Sequence, residues 1–192
     1  MTLRKWLAAA GIALVAVSLG LFCFGSVREK KSIADNNSAV SFISSLLPEP
    51  SPGLKEERAT YRMPSLCYDG RDYCALLEIP RFNVTLPVAA SWNKSETASQ
   101  PCRYAGSTYE GSLIVGGTDA PGQLDCIAKI DVGDRITVTD MNGRVYGYTV
   151  KSVRHAKNAR KATLLDGEWD FTLFAKDSRS GDTLLVRCAA ES

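Results

Sequence analysis

The chain has 192 residues, of which 23 are basic and 21 acidic, and its formal net charge at pH 7 is +2. This length is enough for one domain with an anchor and a stalk. A charge so close to balance gives no electrostatic reason to expect nucleic-acid binding, so we predict no nucleic-acid partner.

An uncharged and almost wholly apolar run covers residues 6–25. Such a run is long enough to cross a hydrocarbon core of about 30 Å. Arg4 and Lys5 precede it, so the positive-inside rule places the N-terminus in the cytoplasm. We predict a cytoplasmic tip and transmembrane anchor over residues 1–25, and a single-pass cell-membrane protein with an extracellular C-terminal domain. A cleaved signal peptide is the alternative, but the run lacks the expected small-residue exit.

Residues 26–66 form the predicted extracellular stalk, which opens with charged residues and continues with Asn and Ser. An amphipathic piece at residues 40–47 predicts one or two helical turns. Pro48, Pro50 and Pro52 follow and end any helix there. The folded domain is then predicted over residues 67–192.

From Cys74 onward, short apolar runs alternate with turn signals, a pattern typical of a β-barrel or β-sandwich. The Asp-Met-Asn-Gly stretch at residues 140–143 predicts a hairpin turn. The predicted strands cover residues 75–79, 82–88, 112–115, 135–139, 144–153, 170–175 and 183–189. Helical pieces fit only around residues 95–100 and 123–129. We predict a mostly β domain of roughly 115 residues, large enough for one core.

Five of the six cysteines lie beyond the apolar run. Cys67 and Cys74 bracket a short loop and are the candidates for a local disulfide. The pairing among Cys67, Cys74, Cys102, Cys126 and Cys188 is otherwise open, because sequence alone does not define it. The chain has no Cys-x-x-Cys motif and one histidine, His155, so we predict no metal site and no cofactor.

A set of segments resembles, in chain order and with fitting spacing, the motifs of the sortase family. These enzymes are cysteine transpeptidases that attach surface proteins to Gram-positive cell walls. The segments are residues 77–80 (Leu-Glu-Ile-Pro), 82–88, 102–107, 112–117, 130–134 (Ile-Asp-Val-Gly-Asp), 146–153, 170–176 and 184–187. The resemblance implies a closed eight-stranded β-barrel with one or two short helices, facing the cell wall.

The resemblance also implies a chemistry that this sequence does not carry. A sortase attacks a peptide carbonyl with a cysteine thiolate, a histidine transfers the proton, and an arginine stabilises the oxyanion. At the matching positions, Gly117 replaces the histidine, Lys176 the cysteine and Thr183 the arginine. We therefore predict a degenerate, catalytically inactive sortase, a pseudosortase.

A rearranged enzyme is the alternative, namely a cysteine transpeptidase or hydrolase that uses Cys102, Cys126 or Cys188. Side chains alternate between the two faces of a strand, so Cys188 points away from the site if Thr183 points towards it. His155 lies in a basic run beyond the expected position of the base. A sulfur within about 4 Å of His155 in a cleft would support this alternative.

Cations at and near the degenerate positions are the candidate binding residues. Lys176 is either a solvent-facing cation or a charge that binds a peptide carboxylate. Arg154, Lys157 and Arg160, with Lys161, form a basic run where the family has its specificity loop. The predicted partners are the membrane, a sortase, a pilin or a sorting-signal peptide. A third hypothesis is a structural domain facing the wall or the lipid, in which bulky side chains close the groove.

Overall fold

The computed structural model describes residues 2–53, 63–93, 96–157, 159–167, 169–177 and 180–191. Within the first helix, the side chains are described from Ala13 onward, with the exception of residues 20, 23 and 28. Its helices are α1 (Thr2–Leu46) and α2 (Lys161–Leu165), with single 3-10 turns at Pro80–Phe82 and Ile127–Lys129. Its strands are β1 (Ser51–Pro52), β2 (Leu66–Tyr68), β3 (Arg71–Ile79), β4 (Val84–Ala89), β5 (Cys102–Ala105), β6 (Leu113–Thr118), β7 (Arg135–Asp140), β8 (Arg144–Ala156), β9 (Phe171–Lys176) and β10 (Thr183–Ala190).

Eight of these strands close into a barrel in the order β3-β4-β5-β6-β9-β10-β8-β7, with β7 returning to β3. The predicted closed eight-stranded barrel is confirmed. The pairs β6–β9 and β4–β5 are parallel, and the other pairs in the ring are antiparallel. The short strands β1 and β2 extend the sheet beside β8 and β3.

The barrel interior is one apolar core, formed because every second residue of each strand faces inward. Leu77 of β3, Val138 of β7 and Phe171 of β9 are completely buried in it. The connection between β6 and β7 adds Leu124 and Ile127 to the same core.

The second half of α1 packs on the outside of the barrel, so residues 26–46 of the predicted stalk are part of a docked helix. Ala39 and Ile43 are buried against Tyr73 and Leu76 of β3. Helical residues four apart lie on one face, which explains why these two share a contact surface. Residues 54–62 of the predicted stalk lie outside the described residues.

The first half of α1 has a different surface, because its large apolar side chains from Leu14 to Val27 are 58–75% exposed. Within the part of the chain that the structure describes, no helix is both long and apolar enough to cross a membrane.

The two short helical pieces predicted at residues 95–100 and 123–129 are only turns. Residues 123–129 end in a 3-10 turn, with the Lys129 amide donating to the Cys126 carbonyl at 2.9 Å. Glu96 to Ser99 form turns that stop before Pro101, and Ser95 lies outside the described residues. The short helix that does form, α2, begins at Lys161, the last residue of the basic run.

The candidate disulfide between Cys67 and Cys74 is not formed, and both are free thiols. Cys67 lies exposed on β2 opposite Asp72. Cys74 lies at a bulge of β3 and is buried in the barrel core, where its thiol donates to the Ala89 carbonyl at 3.8 Å. One sulfur is therefore outside the barrel and the other inside it.

Candidate functional site

The three degenerate positions come together on adjacent strands. Gly117 lies near the end of β6, Lys176 is the last residue of β9 and Thr183 is the first residue of β10. The strand register places Lys176 directly opposite Thr183 and next to Thr118. We call Gly117, Lys176 and Thr183 the strand-end site.

Two of these side chains share a face and the third position faces the other way. Directly opposed residues in a sheet lie on the same face, so Lys176 and Thr183 point together to the outside. Gly117 is opposite Ala175, which is fully buried in the core. A side chain at position 117 would therefore point to the inner side of the sheet, whereas the side chain of Lys176 points to the outer side.

Gln123 occupies that space. A Cβ atom added at Gly117 would lie 2.8 Å from Gln123 Oε1 and 3.2 Å from Leu124 Cδ1. The Gln123 amide accepts a hydrogen bond from the Thr118 amide and donates one to the Thr97 carbonyl, each at 3.2 Å. Sequence reasoning missed Gln123, because a single glutamine after Pro-Gly gives no signal of burial.

The outer face next to Lys176 is filled by apolar side chains. A Cβ added at Gly116 would run into the ring of Phe174, so that ring lies across β6. Trp92 and Tyr104 contact Phe174 with ring centroids 5.6 and 5.5 Å away. The buried members of this outer cluster are Ile114, Leu164, Phe174 and Leu185. The side chain of Trp92 is 40% exposed.

Arg187 fixes α2 over this outer cluster. Its guanidinium donates to the carbonyls of Leu164 and Thr163 at 3.0 and 2.6 Å and to Thr172 Oγ1 at 2.7 Å. Burial lowers the pKa of Arg187 from its ordinary value, because the charged form is desolvated. An arginine pairs well with carbonyls because its planar fork offers several donors at once.

The three cysteines proposed as alternative nucleophiles are buried thiols. Cys188 faces the barrel interior with Leu184 and Val186, away from Lys176 and Thr183, as strand alternation predicts. Burial raises the pKa of Cys188 to about 12, and that of Cys102 and Cys126 to about 11. These thiols stay protonated at neutral pH, whereas a nucleophilic cysteine needs its thiolate.

His155 does not supply a base for the strand-end site. It is exposed on β8 and lies opposite Leu184, so it belongs to the face away from Thr183. Among the described residues, no group of three His, Cys, Asp or Glu side chains is placed to hold a metal ion.

The basic run next to the site is exposed. Arg154 lies opposite Leu185 of β10, and Lys157 follows Ala156, which lies opposite Thr183. Arg160 and Lys161 begin α2 and are also exposed. Lys176 is thus separated from Lys157 by the width of one strand, β10.

Alkylation of the folded protein near neutral pH is expected to separate these thiols. Cys67 is exposed and should react first among the described cysteines. Cys102, Cys126 and Cys188 should react at least about a hundredfold more slowly than an accessible thiol with an ordinary pKa, because a pKa raised to about 11 or 12 leaves little thiolate and burial blocks the reagent. A time course with iodoacetamide, followed by peptide mass spectrometry, measures each rate. Labelling of Cys188 as fast as Cys67 would contradict its burial.

Comparisons with known proteins agree with the observed barrel fold. A family model described as a sortase domain matches residues 77–188. A Clostridium perfringens sortase D5 transpeptidase is similar, with a TM-score of 0.54 and 17% identity over 63% of this chain and 80% of that one. Listeria monocytogenes sortase A has a TM-score of 0.54 and 18% identity over 62% and 88%. Corynebacterium diphtheriae sortase A has a TM-score of 0.54 and 16% identity over 85% and 84%. No curated protein matches the chain.

At these identities the solved structures establish the fold alone. The sortase-domain match covers more than half of the chain and includes Gly117, Lys176 and Thr183. The chain is therefore a member of the sortase family.

Proposed function

We propose that this protein is a pseudosortase, a sortase-fold protein that binds a partner or peptide and carries out no transpeptidation. Residues 6–25 anchor it in the cell membrane, with the barrel on the outer face of a Gram-positive-type cell. There it acts as a partner or regulator of sortase-dependent assembly of surface proteins or pili.

The observation that carries the proposal is the composition of the strand-end site. Transpeptidation needs a thiolate, a proton-transfer group and an oxyanion donor that converge on one carbonyl. The site offers an exposed lysine, a threonine and a glycine whose neighbouring space holds Gln123. A lysine nucleophile needs a desolvated, apolar pocket around its amine, and Lys176 is exposed to solvent.

A binding role is supported by what remains exposed at the site. The Lys176 ammonium can attract a peptide carboxylate, and Trp92 presents an aromatic surface next to Phe174. Tryptophan is among the side chains that most often carry binding energy in an interface, and an exposed lysine adds charge attraction at its rim. A sorting-signal peptide or the acidic segment of a pilin fits this combination.

A second candidate function is a structural domain that faces the wall or the lipid and has no peptide groove. It is favoured by one observation, the Phe174 ring that lies across Gly116 beneath Tyr104 and Trp92. The two candidates differ in whether any peptide binds next to Lys176.

Cleavage and binding assays on the purified full chain in detergent test these roles. Fluorogenic sorting peptides should remain uncleaved, whereas an active sortase used as a control cleaves them. Fluorescence anisotropy should detect peptide binding that weakens about tenfold, or 1.4 kcal/mol, in Trp92→Ala or Lys176→Gln. Matched variants at Lys151 and Val132, which are exposed away from the site, should bind like the unchanged protein.

The outcomes separate the hypotheses. Cleavage that disappears in Cys102→Ser, Cys126→Ser or Cys188→Ser would overturn the pseudosortase and restore the rearranged enzyme. No cleavage and no binding of any sorting or acidic peptide would favour the structural domain.

A further inference from the structure

The helix α1 leaves the barrel next to the strand-end site. Ser32 Oγ donates to the Ser99 carbonyl at 2.9 Å, and Asn36 Nδ2 donates to the Ser99 and Gly122 carbonyls at 3.0 and 3.2 Å. The side chain of Ile33 lies against Gly122. The segment that ends at Gly122 begins directly after Thr118, the neighbour of Lys176 in the sheet. These contacts fix α1 to residues 119–122, which follow β6 and which we call the loop of the strand-end site.

The other end of the docked helix lies near the hairpin that joins β7 and β8. Met141 of that hairpin packs against the cluster that contains Ile43. The Ser51 amide, just beyond α1, donates to the Gly143 carbonyl at 3.0 Å. Along the helix axis, Ile33 and Leu46 are about 20 Å apart. The loop of the strand-end site is therefore on the N-terminal side of the docked helix, and the hairpin is on its C-terminal side.

The apolar part of α1 begins close to this exit. Gly25 and Glu29 face Ala120 and Pro121 across a cleft of about 530 Å³. Between Gly25 and Ile33 the helix rises by about 12 Å. The exposed apolar side chains that precede Gly25 include Leu19, Leu21, Phe22 and Phe24. If this segment enters a bilayer, the strand-end site lies within a short distance of the lipid surface.

The surface around the strand-end site carries a concentration of exposed cations. They are Arg154, Lys157, Arg160, Lys161 and Lys176, which we call the basic surface. Asp177, which follows Lys176, accepts hydrogen bonds from the Ser180 amide and hydroxyl at 3.2 and 2.8 Å. Its carboxylate keeps its negative charge beside Lys176, so the four cations of residues 154–161 carry most of the positive charge of the basic surface.

We propose that the barrel stands on the membrane with its strand-end site towards the lipid, and that the basic surface binds anionic lipid headgroups. This rests on the proposed membrane anchor and adds an orientation and a ligand class to it. Anionic headgroups attract Lys and Arg side chains strongly only within about one Debye length, roughly 8 Å at physiological salt. The hydrogen bonds of Ser32 and Asn36 hold the barrel on α1, so the basic surface approaches the headgroups as a fixed face.

The experiment places the full chain in lipid nanodiscs and measures distance to the bilayer. One sample carries a fluorescent non-canonical residue at Ala162, directly after Lys161 of the basic surface. A matched sample carries it at Asn142, in the hairpin, and both positions are exposed. Energy transfer to a headgroup acceptor should be several-fold stronger from position 162. Equal transfer, or stronger transfer from position 142, overturns the orientation. Release of the chain by alkaline carbonate would instead show that the anchor itself is wrong.

Charge and lipid composition test the ligand class. Transfer from position 162 should rise when phosphatidylglycerol replaces part of the phosphatidylcholine, and Lys157→Glu with Arg160→Glu should abolish that rise. Lys151→Glu, on an exposed site about 20 Å earlier along β8, should leave it unchanged. A response that is identical in both lipids, or one that survives the double substitution, overturns headgroup binding. The hairpin label reports on anchoring in every sample.

Discussion

A single Gly117→His substitution is expected to lower the free energy of unfolding by about 1–3 kcal/mol, the usual cost of overpacking a filled site. The new Cβ would approach Gln123 Oε1 and Leu124 Cδ1 at 2.8 and 3.2 Å. An imidazole ring extends much further and must displace the Gln123 amide. That displacement breaks the hydrogen bonds of Gln123 to Thr118 and Thr97. Urea denaturation of the full chain in detergent measures the loss.

The matched test combines Gly117→His with Gln123→Ala. Removing the Gln123 amide makes room for the imidazole ring. The loss of unfolding free energy in the double variant should therefore be about 1 kcal/mol smaller than the sum of the losses in the two single variants. Simple additivity would show that Gln123 and position 117 do not compete for space. Ala162→His, at an exposed position, is the control for the effect of adding an imidazole at the surface.

The same competition limits any attempt to restore the family's chemistry. Lys176→Cys and Thr183→Arg place both groups on the outer face, where the strand register makes them direct neighbours. The histidine needs the further change at Gln123. A triple variant with Gln123 intact is therefore expected to remain inactive towards sorting peptides even if the groove still binds them.

The barrel could be predicted from local pattern because its long strands alternate clearly. In β7, the apolar residues Ile136 and Val138 fall at every second position. In β10, they form a short buried run that begins at Leu184. The strand β5 escaped prediction because it has four residues, and only Cys102 among them is buried. Its place in the barrel depends on pairing with β6, a contact that no local pattern contains.

Most of the docked half of α1 could not be predicted for a similar reason, although the helical turns predicted at residues 40–47 do form as far as Leu46. Its Ser and Asn residues resemble a solvated stalk when taken alone. Asn36 is nevertheless buried, because its amide finds carbonyls at Ser99 and Gly122 that are far away in the sequence. The strand-end positions were identified by resemblance, whereas the direction in which each one faces, and the presence of Gln123, required the register of the folded sheet.

Replacing Arg187 by alanine is expected to cost about 3 kcal/mol of stability. The guanidinium makes three hydrogen bonds, and hydrogen bonds to charged groups contribute about 1.5–3 kcal/mol each but are not additive. Its loss leaves the carbonyls of Thr163 and Leu164 without their donors, so α2 loses its hold on the outer cluster. Thermal unfolding monitored by circular dichroism measures the change.

A matched surface arginine distinguishes the effect of the Arg187 hydrogen bonds to α2 from a general effect of removing a positive charge. Arg135 pairs with Glu191 at 2.8 Å, but 62% of its side chain is exposed, so Arg135→Ala should cost less than about 1 kcal/mol. Arg187→Lys keeps the charge and loses the fork, and should recover only part of the stability. Amide exchange should rise in residues 161–165 for both Arg187 variants and stay unchanged for Arg135→Ala. If amide exchange in α2 does not change, Arg187 stabilises only the strands. In that case α2 is held in place by the apolar packing of Leu164 against Phe174 and Leu185.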